Sequence, residues 1–249
     1  MNRRVYNEKI SINTTQIKQF FSHRAIVYDD KHPVVSMLYQ DQNPELAELR
    51  DRIEKEKLTP LLEIKEFDRV LDVGCGVGRW AEVFIGRVKD YHGTDLIDGL
   101  IRIAITRYSH VPNYSFQIIP AQDLSPENLT SPPPFDIIII AGVLNYINDD
   151  DCLAILKNVE ICSSKNSRIL IRCPIGVIGR LTLDSTWSDE LKYNYSSIYR
   201  TNEEYLDLFH GTLIRENFKI IQSAPLFPNE LNNRKDTQQY YYLFRREYS

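Results

Sequence analysis

Residues 69–80 read RVLDVGCGVGRW, and this stretch decides the fold of the chain. Apolar positions lead directly into a cluster of glycines, a pattern that predicts a buried strand followed by a tight turn. Further apolar residues recur at helical spacing and predict a helix that continues to about Val88. Glycine is required where the backbone turns through positive φ or lets a ligand approach closer than a Cβ would allow. The stretch therefore predicts a ligand site at the carboxyl end of the strand.

The spacing of the glycines indicates which ligand this turn binds. A dinucleotide-binding turn follows the pattern G-x-G-x-x-G, whereas here the third glycine comes one position early and Arg79 takes the sixth position. The sequence instead resembles motif I of class I S-adenosylmethionine-dependent methyltransferases, E/D-x-G-x-G-x-G, with Asp72, Gly74, Gly76 and Gly78 in its fixed places. The resemblance extends over most of the chain and implies S-adenosyl-L-methionine as cofactor and S-adenosyl-L-homocysteine as product.

The composition of the chain argues against nucleic acid and membranes as binding partners. Its 249 residues fit one α/β domain with additions, and a net charge of −4 lacks the basic excess typical of nucleic-acid binding. The N-terminal residues form no apolar core of signal-peptide length, and the longest apolar run, residues 137–144, is too short to span a bilayer. We therefore expect a cytoplasmic protein with a small-molecule or glycan acceptor, without nucleic acid and without membrane insertion. The sequence does not indicate an oligomeric state.

The four cysteines form no pattern typical of a metal site or a disulfide framework. No C-x-x-C pair occurs, and no histidine stands near a cysteine at metal-ligand spacing. We expect all four to be reduced and mostly buried, and no metal to be bound.

The order of the predicted elements indicates the fold. Strand and helix patterns alternate after residue 66, and the chain closes with two strands that have no helix between them. This ending resembles class I methyltransferases and implies a doubly wound, seven-stranded, mostly parallel sheet of Rossmann-like type with an antiparallel last strand. Two predicted helices precede the sheet, the second with Asn43 as its cap, Pro44 as its first residue and an apolar stripe of Leu46, Leu49 and Ile53. The predicted parts of this single domain are an N-terminal helical cap (1–65), a cofactor-binding core (66–173), a substrate-lid insertion (174–200) and a C-terminal helix with strands (201–249).

An acid at the end of the second predicted strand is a candidate ribose ligand. Asp95 stands about 20 positions after the first glycine, the spacing of the acid that binds ribose hydroxyls in dinucleotide folds. The alternative is that Asp95 caps the helix that follows, but Asp98 is better placed as that cap. The resemblance further implies that Asp123 accepts from the adenine amino group and that the Leu124 amide meets a ring nitrogen. The candidate cofactor-binding residues are Asp72, Gly74, Cys75, Gly76, Gly78, Asp95, Leu96, Gln122, Asp123, Leu124, Ala141 and Gly142.

The acceptor site is predicted from two segments that face the reacting methyl group in the resembled family. The first follows the central strand 135–141, and the second is the aromatic, arginine-containing stretch after the fifth predicted strand. We expect Tyr199 and Arg200 to hold the acceptor, since stacked tyrosines suit a sugar face and a guanidinium suits an anion. The candidate catalytic residues are Asn145, Tyr146, Tyr199 and Arg200. The candidate substrate-binding residues are Tyr28, Tyr39, Gln40, Arg79, Arg180 and Tyr195.

The absence of a histidine from the family's catalytic positions limits which acceptors can be methylated. No histidine falls in the usual catalytic places of the family, and an anionic acceptor such as a carboxylate or phosphate needs cations but no general base. Two stretches, YQDQNPELAELRDRIEKEKL (39–58) and SSIYRTNEEYLDLF (196–209), also resemble bacterial capsule and O-antigen methyltransferases, including those that O-methylate phosphate or phosphoramidate groups on sugars. We expect O-methylation of a small polar acceptor in surface-polysaccharide or secondary-metabolite biosynthesis.

Other functions remain open at this point. One alternative is a non-catalytic scaffold that binds S-adenosylmethionine, and others are an RNA methyltransferase, a protein methyltransferase and, more distantly, a nicotinamide-dependent oxidoreductase. A fold alone does not decide between them. The intact glycines and the matching acids favour the enzyme over the scaffold.

Overall fold

The computed structural model describes residues 3–232 and 234–247. The strands are β1 (Arg3–Tyr6), β2 (Arg69–Val73), β3 (Asp90–Asp95), β4 (Tyr114–Ile118), β5 (Phe135–Ala141), β6 (Ser163–Gly176), β7 (Leu181–Ser188), β8 (Tyr193–Tyr199), β9 (Phe218–Pro225) and β10 (Thr237–Arg246). The helices are α1 (Thr14–Ile26), α2 (Val35–Leu38), α3 (Pro44–Leu58), α4 (Asp98–Arg107), α5 (Asp149–Ile161) and α6 (Asn202–His210).

Seven strands form the central sheet in the order β4-β3-β2-β5-β6-β10-β9. The pairs from β4 to β6 are parallel, and β10 runs antiparallel to both of its neighbours. This confirms the predicted doubly wound sheet with an antiparallel last strand. The strand order reverses between β2 and β5, where the carboxyl ends of parallel strands leave a crevice for a ligand.

Both faces of the sheet are covered by apolar packing. One face carries Ile138 and Ile171 against the buried sides of α5 and α6, and the other carries Ile137 and Leu170 against Trp80 and its neighbours. Because these strands are buried on both faces, their sequences are continuous apolar runs without alternation. The four cysteines are free and buried, as predicted.

The helix predicted after the glycine turn is wrong. The residues that follow the turn form only a short 3-10 helix, Ala81–Phe84. The next residue, Ile85, is extended, and Gly86 has a φ of +68°, so the backbone cannot continue a right-handed helix. The apolar spacing arises because Trp80 and Phe84 are both buried against the sheet.

The segment 174–200, predicted as a substrate-lid insertion, consists mainly of strands. β6 continues to Gly176, and β7 and β8 pair antiparallel with each other. The strand β1 joins their edge to give a second sheet of three strands, so the first residues described here contact the lid directly.

Helix α3 begins as predicted, but its buried face is not the predicted one. The Asn43 side chain accepts from the Leu46 amide, and Pro44 takes the first position. The predicted apolar stripe of Leu46, Leu49 and Ile53 is only half-buried. The residues buried along α3 are Ala47, Arg50, Asp51, Glu54, Lys55 and Leu58. Within residues 3–232 and 234–247, no helix is both long and apolar enough to cross a membrane.

Candidate active site

A cavity of about 420 Å³ opens at the carboxyl ends of β2, β3, β5 and β6. Its floor is the glycine turn together with the ends of these strands. The roof comes from α1, from residues 37–40 after the start of α2, and from the lid residues 188–199. The cavity therefore lies in the crevice that the strand order predicts, and the N-terminal cap and the lid close it together.

The glycine turn has the geometry of a ligand cradle. Gly74 has a φ of +70°, and an added Cβ would lie 2.4 Å from the Val143 Cγ2 atom. Gly76 has a φ of +57°, and its Cβ would lie 2.7 Å from the Met37 sulfur. Gly78 differs, because its Cβ would lie 2.6 Å from the buried Tyr108 ring, away from the cavity lining. The expectation that Gly78 binds cofactor does not fit this placement, since packing against the α4 side already requires a glycine there.

Asp95 braces the glycine turn against the start of α4. Its carboxylate accepts from the Gly76 amide at 3.0 Å and from the Ile97 amide at 2.9 Å. Burial raises the pKa of Asp95 to about 6, although the backbone donors oppose that shift. The predicted cap Asp98 is wrong, because Ile97 occupies the cap position and the Asp98 carboxylate pairs with Arg102. Asp95 thus faces the cavity. Each of its carboxylate oxygens accepts one backbone hydrogen bond and keeps a further lone pair that a ligand can use.

Asp72 lies below the turn and is also buried. The Tyr91 hydroxyl donates to its Oδ2 atom at 2.6 Å. Burial raises the pKa of Asp72 to about 7, and the hydrogen bond from Tyr91 and the charge of Arg79 limit the rise. The two carboxyls are thus weaker acids than exposed ones, and a positively charged ligand would favour their ionised forms.

Arg79 lines the cavity, but its guanidinium is already paired. One nitrogen donates to Asp51 and the other to Glu54, each at 2.6 Å. Glu54 also accepts from Arg172 of β6, with the shorter contact at 2.9 Å. Burial alone would raise the pKa of Glu54, but Arg172 and Arg79 outweigh it and hold this pKa at about 2. These contacts tie α3 to the turn and to the sheet.

Four tyrosines meet at the other side of the cavity. The rings of Tyr39, Tyr146 and Tyr195 lie with their centroids 6.0 to 6.4 Å apart. The Tyr146 and Tyr195 hydroxyls are 2.9 Å apart, and the Tyr199 hydroxyl donates to Tyr195 at 3.3 Å. Burial raises the pKa of Tyr39, Tyr146 and Tyr195, so these three remain neutral hydroxyls. The tyrosine cluster, residues 39, 146, 195 and 199, combines residues from the N-terminal cap, the segment after β5 and the lid.

Two of the predicted arginines lie outside this cavity. Arg200 is 1% exposed, and its guanidinium donates to the carbonyls of Leu144 and Ile147 and to the Asp149 carboxylate. Arg180 bridges Asp149 and Glu204. The expectation that Arg200 and Arg180 contact the acceptor is therefore wrong. The Arg200 guanidinium is committed to the segment that leads into α5, and the Arg180 guanidinium joins Asp149 at the start of α5 to Glu204 of α6.

The remaining predicted residues divide between lining and non-lining positions. Tyr28 packs beside Ile97 and Leu100, the Leu124 amide donates to the Ala121 carbonyl, and Asp123 is exposed beside the cavity but outside its lining. Those three placements do not support the predicted contacts. The Asn145 amide donates to Ser197 at 3.0 Å and faces the cavity. The other predicted residues in the lining are Gln40, Cys75, Leu96, Gln122, Ala141 and Gly142.

Seven polar lining residues are not among the predicted ones, namely Arg50, Arg172, Ser188, Glu190, Arg234, Thr237 and Gln239. The charges of α3 give no local sign of burial, because acids and bases alternate there as they do on a solvated helix face. Arg172 interrupts the otherwise apolar run ILIRC (169–173), and a charge in a doubly buried strand is a signal that could have been used. Among the described residues, no cluster of three or more side chains could hold a metal ion.

The comparisons with known proteins agree with this architecture. Residues 70–163 match the model of a family described as methyltransferase domain. Phosphoethanolamine N-methyltransferase 1 of Caenorhabditis elegans is 24% identical over 196 residues, which cover 76% of this chain and 39% of that protein. The chain thus spans well under half the length of that relative.

Two solved structures have the same fold. One is the Haemonchus contortus phosphoethanolamine N-methyltransferase 1 in complex with phosphoethanolamine and S-adenosylhomocysteine. It has a TM-score of 0.73 and 18% identity, over 93% of this chain and 48% of that one. The other is the 1,6-didemethyltoxoflavin-N1-methyltransferase of Burkholderia thailandensis. Its TM-score is 0.66 at 13% identity, over 98% of this chain and 95% of that one. Residues 70–163 thus match a methyltransferase domain, and the chain shares the fold of these two methyltransferase structures.

Proposed function

We propose that this enzyme methylates an amine nitrogen of a small acceptor that also carries an anionic group. The observation that carries the proposal is the tyrosine cluster, which lines the same cavity as Arg50, Arg172 and Arg234. Neutral phenols suit the amine, and guanidinium groups suit the anion. A cavity roofed by α1 and the lid fits a small molecule better than a nucleic acid or a folded protein.

The donor end of the cavity is assigned to the glycine turn. S-adenosylmethionine, when bound, supplies an electrophilic methyl group on a sulfonium sulfur. We expect the Asp95 carboxylate to accept hydrogen bonds from the ribose hydroxyls, and Gly74 and Gly76 to let the donor lie against the backbone. Leu96 and Gln122 line the same end and are expected to flank the adenine. The chain's main contribution is alignment, because in-line transfer requires the acceptor atom about 3 Å from the methyl carbon.

The acceptor end favours an atom that needs no general base. No histidine occurs among the described lining residues, and the raised pKa values keep Tyr39, Tyr146 and Tyr195 protonated. A neutral hydroxyl of a sugar would need a base to lose its proton. An aliphatic ammonium group first loses a proton to water, and the neutral amine then attacks the methyl carbon directly. The tyrosine oxygens can accept from its N–H groups and orient its lone pair. The ring faces also favour the positive charge that develops on nitrogen.

The relatives support the same acceptor chemistry. Phosphoethanolamine, bound in the Haemonchus contortus structure, combines an amine with a phosphate. The toxoflavin enzyme of Burkholderia thailandensis is likewise an N-methyltransferase by its name. We therefore take phosphoethanolamine as the first acceptor to test.

A second candidate is O-methylation of an acidic oxygen on a phosphate, phosphoramidate or carboxylate, in polysaccharide or secondary-metabolite biosynthesis. The arginines of the lining favour it, because an ionised oxygen needs orientation by cations and no base. The two stretches that resemble capsule and O-antigen enzymes support it as well. The first contributes Tyr39, Gln40 and Arg50 to the cavity, and the second contributes Tyr199.

The two candidates are separated by an acceptor panel. The protein is incubated with methyl-labelled S-adenosylmethionine and phosphoethanolamine, a sugar phosphate or a sugar phosphoramidate, and the products are identified by mass spectrometry. We expect label on the nitrogen of phosphoethanolamine. Label only in a methyl ester would favour the second candidate, and no label in any member would reject both. Tyr146→Phe should reduce transfer at least tenfold, whereas Tyr6→Phe, at an exposed tyrosine, should not.

A further inference from the structure

Arg50 is a buried cation in the cavity wall whose guanidinium is only partly satisfied. The residue is 8% exposed, and its Nε atom has no hydrogen-bond partner among the described residues. One terminal nitrogen donates to the Leu231 carbonyl, and the group lies over the Phe227 ring at 5.9 Å. No carboxylate oxygen of residues 3–232 and 234–247 lies within 4 Å of it. A buried unpaired charge is costly, so this side chain lacks a partner that a ligand can supply.

The neighbouring charges do not compensate Arg50. In the cluster along α3, each of the other three bases pairs with at least one acid, and four cations face three carboxylates. The cations are Arg50, Lys55, Arg79 and Arg172, and the carboxylates are Asp51, Glu54 and Glu82. Burial and the nearby charge of Arg172 both lower the pKa of Arg50. The local excess of positive charge would attract an anion.

A second unsatisfied group lies in the same wall. The Gln239 side chain of β10 lines the cavity, and its amide oxygen is buried without a hydrogen-bond partner among the described residues. The two ends of an amide are exchanged by a simple flip, so this side chain can instead present its NH₂ group to an anion. Arg50 and Gln239 are thus two unsatisfied polar groups on one cavity.

The position of Arg50 assigns it to the acceptor and not to the donor. Phe227 and Leu231 belong to the connection between β9 and β10, and Gln239 is on β10 itself. Asp95, the expected ribose ligand, is at the end of β3. In the sheet, β2, β5 and β6 separate β3 from β10, so Arg50 and Asp95 belong to opposite ends of the cavity.

We infer that Arg50, together with Gln239, binds the anionic group of the acceptor, a phosphate or a carboxylate. This inference rests on the proposed function for the presence of such an acceptor, and it names the residues that select it. Arg50 offers two free donor positions of a planar group, which matches the two oxygens of such an anion. An acceptor without the anion would leave Arg50 buried and unpaired, and it would therefore be discriminated against.

The test uses inorganic phosphate as the probe and calorimetry as the readout. Wild-type protein saturated with S-adenosylhomocysteine is titrated with phosphate, and so are Arg50→Gln, Arg50→Lys and the control Arg52→Gln, an exposed residue of the same helix. We expect saturable binding to the wild type and to Arg52→Gln. Arg50→Gln should bind phosphate at least tenfold more weakly, with Arg50→Lys in between. The affinity for S-adenosylhomocysteine should stay within about twofold in every variant, which also reports that each one is folded.

Three results would overturn the inference. They are equal phosphate affinity in Arg50→Gln and wild type, the absence of phosphate binding to the wild type, and a tenfold loss of S-adenosylhomocysteine affinity in Arg50→Gln. The last would mean that Arg50 holds the carboxylate of the donor. A separate transfer assay with phosphoethanolamine tests the proposed function. If phosphate binds through Arg50 but no N-methylated phosphoethanolamine forms, the anion site is supported and the proposed acceptor is rejected.

Discussion

Gly76 lies in the glycine turn, where the cofactor is expected to lie against the backbone. It has a φ of +57°, and it lines the cavity beneath Met37. We predict that Gly76→Ala lowers the affinity for S-adenosylhomocysteine at least tenfold, because the added methyl group occupies the cradle and pushes Met37 toward the ligand. Calorimetric titration of the variant measures this loss.

The matched control is Gly86, which has a similar φ of +68° but nothing within 4 Å of its added Cβ. Both alanine variants should lose about 1–2 kcal/mol of unfolding free energy through left-handed strain. Only the variant at Gly76 should lose ligand affinity. Equal affinities in the two variants would place the cofactor elsewhere.

Asp72 should make the stability of the ligand-free protein depend on pH. Its folded-state pKa is raised to about 7, so the native state holds this proton where the unfolded state has released it. The contribution of Asp72 to stability is therefore full below about pH 4 and is lost as the pH rises to about 7. We predict that Asp72→Asn, which keeps an acceptor for the Tyr91 hydroxyl, equals the wild type near pH 4 and exceeds it by about 2–4 kcal/mol at pH 8.

Urea unfolding at a series of pH values measures that difference directly. Other titrating groups cancel when the variant is compared with the wild type at each pH. A constant difference from pH 4 to pH 8 would mean that Asp72 has an ordinary pKa in the folded protein.

At the scale of elements, α3 is held to the sheet mainly by charge pairs. Glu54 is fully buried and accepts from both Arg79 and Arg172. We predict that Glu54→Gln lowers the free energy of unfolding by about 3 kcal/mol, because two buried guanidinium groups lose their shared carboxylate. The exposed Glu56 of the same helix is the control, and Glu56→Gln should change stability by less than about 0.5 kcal/mol.

The pKa of Glu54, about 2, also sets the pH range of this contribution. A depressed pKa means that the stabilisation is complete above about pH 4.5 and is lost as the pH falls toward 2. Urea unfolding should therefore show the largest effect of Glu54→Gln at neutral pH. An effect as small as that of Glu56→Gln at pH 7 would contradict the role of this carboxylate as the tie between α3 and the sheet.

The turn after β5 is a second element fixed by one buried arginine. Arg200 binds two carbonyls of the segment 144–147, which carries Asn145 and Tyr146 to the cavity. We predict that Arg200→Lys lowers the free energy of unfolding by about 2–3 kcal/mol, since an ammonium group cannot make these hydrogen bonds together. Denaturant unfolding measures the loss.

The control for Arg200 is Arg102→Lys, at an exposed pair with Asp98, where a change below about 0.5 kcal/mol is expected. Unchanged stability of Arg200→Lys with lost turnover would instead indicate direct contact with the acceptor.

At the scale of the whole molecule, the features that could be predicted from the sequence are those marked by residue types at short, fixed spacings. The glycine turn, the buried strands and the capped start of α3 follow from residue types at fixed spacing, whereas the doubly wound sheet was implied by the family resemblance. Asp95 was found by its distance from the turn. Tyr39, Tyr146 and Tyr195 were identified one at a time, although their contact depends on the closure of the cap against the lid.

The features that could not be predicted depend on contacts between distant segments. Arg200 follows the lid in sequence, yet its acceptors belong to the segment after β5. The charges of α3 have the spacing of an exposed face, and only the opposing Arg79 and Arg172 explain their burial. The second sheet depends on β1, which is separated from β7 by most of the chain. Such contacts leave no periodic pattern in a single sequence.

Native mass spectrometry of the protein incubated with S-adenosylhomocysteine tests most directly the central claim that the cavity binds the methyl donor through the glycine turn and Asp95. We predict one bound S-adenosylhomocysteine on the wild type and, at the same concentration, at least tenfold less on Asp95→Ala, whose loss of a buried charged acceptor costs about 1.5–3 kcal/mol. The wild-type complex should then take up one phosphoethanolamine. Equal retention of S-adenosylhomocysteine by Asp95→Ala, or preferential binding of a nicotinamide dinucleotide to the wild type, would contradict the claim.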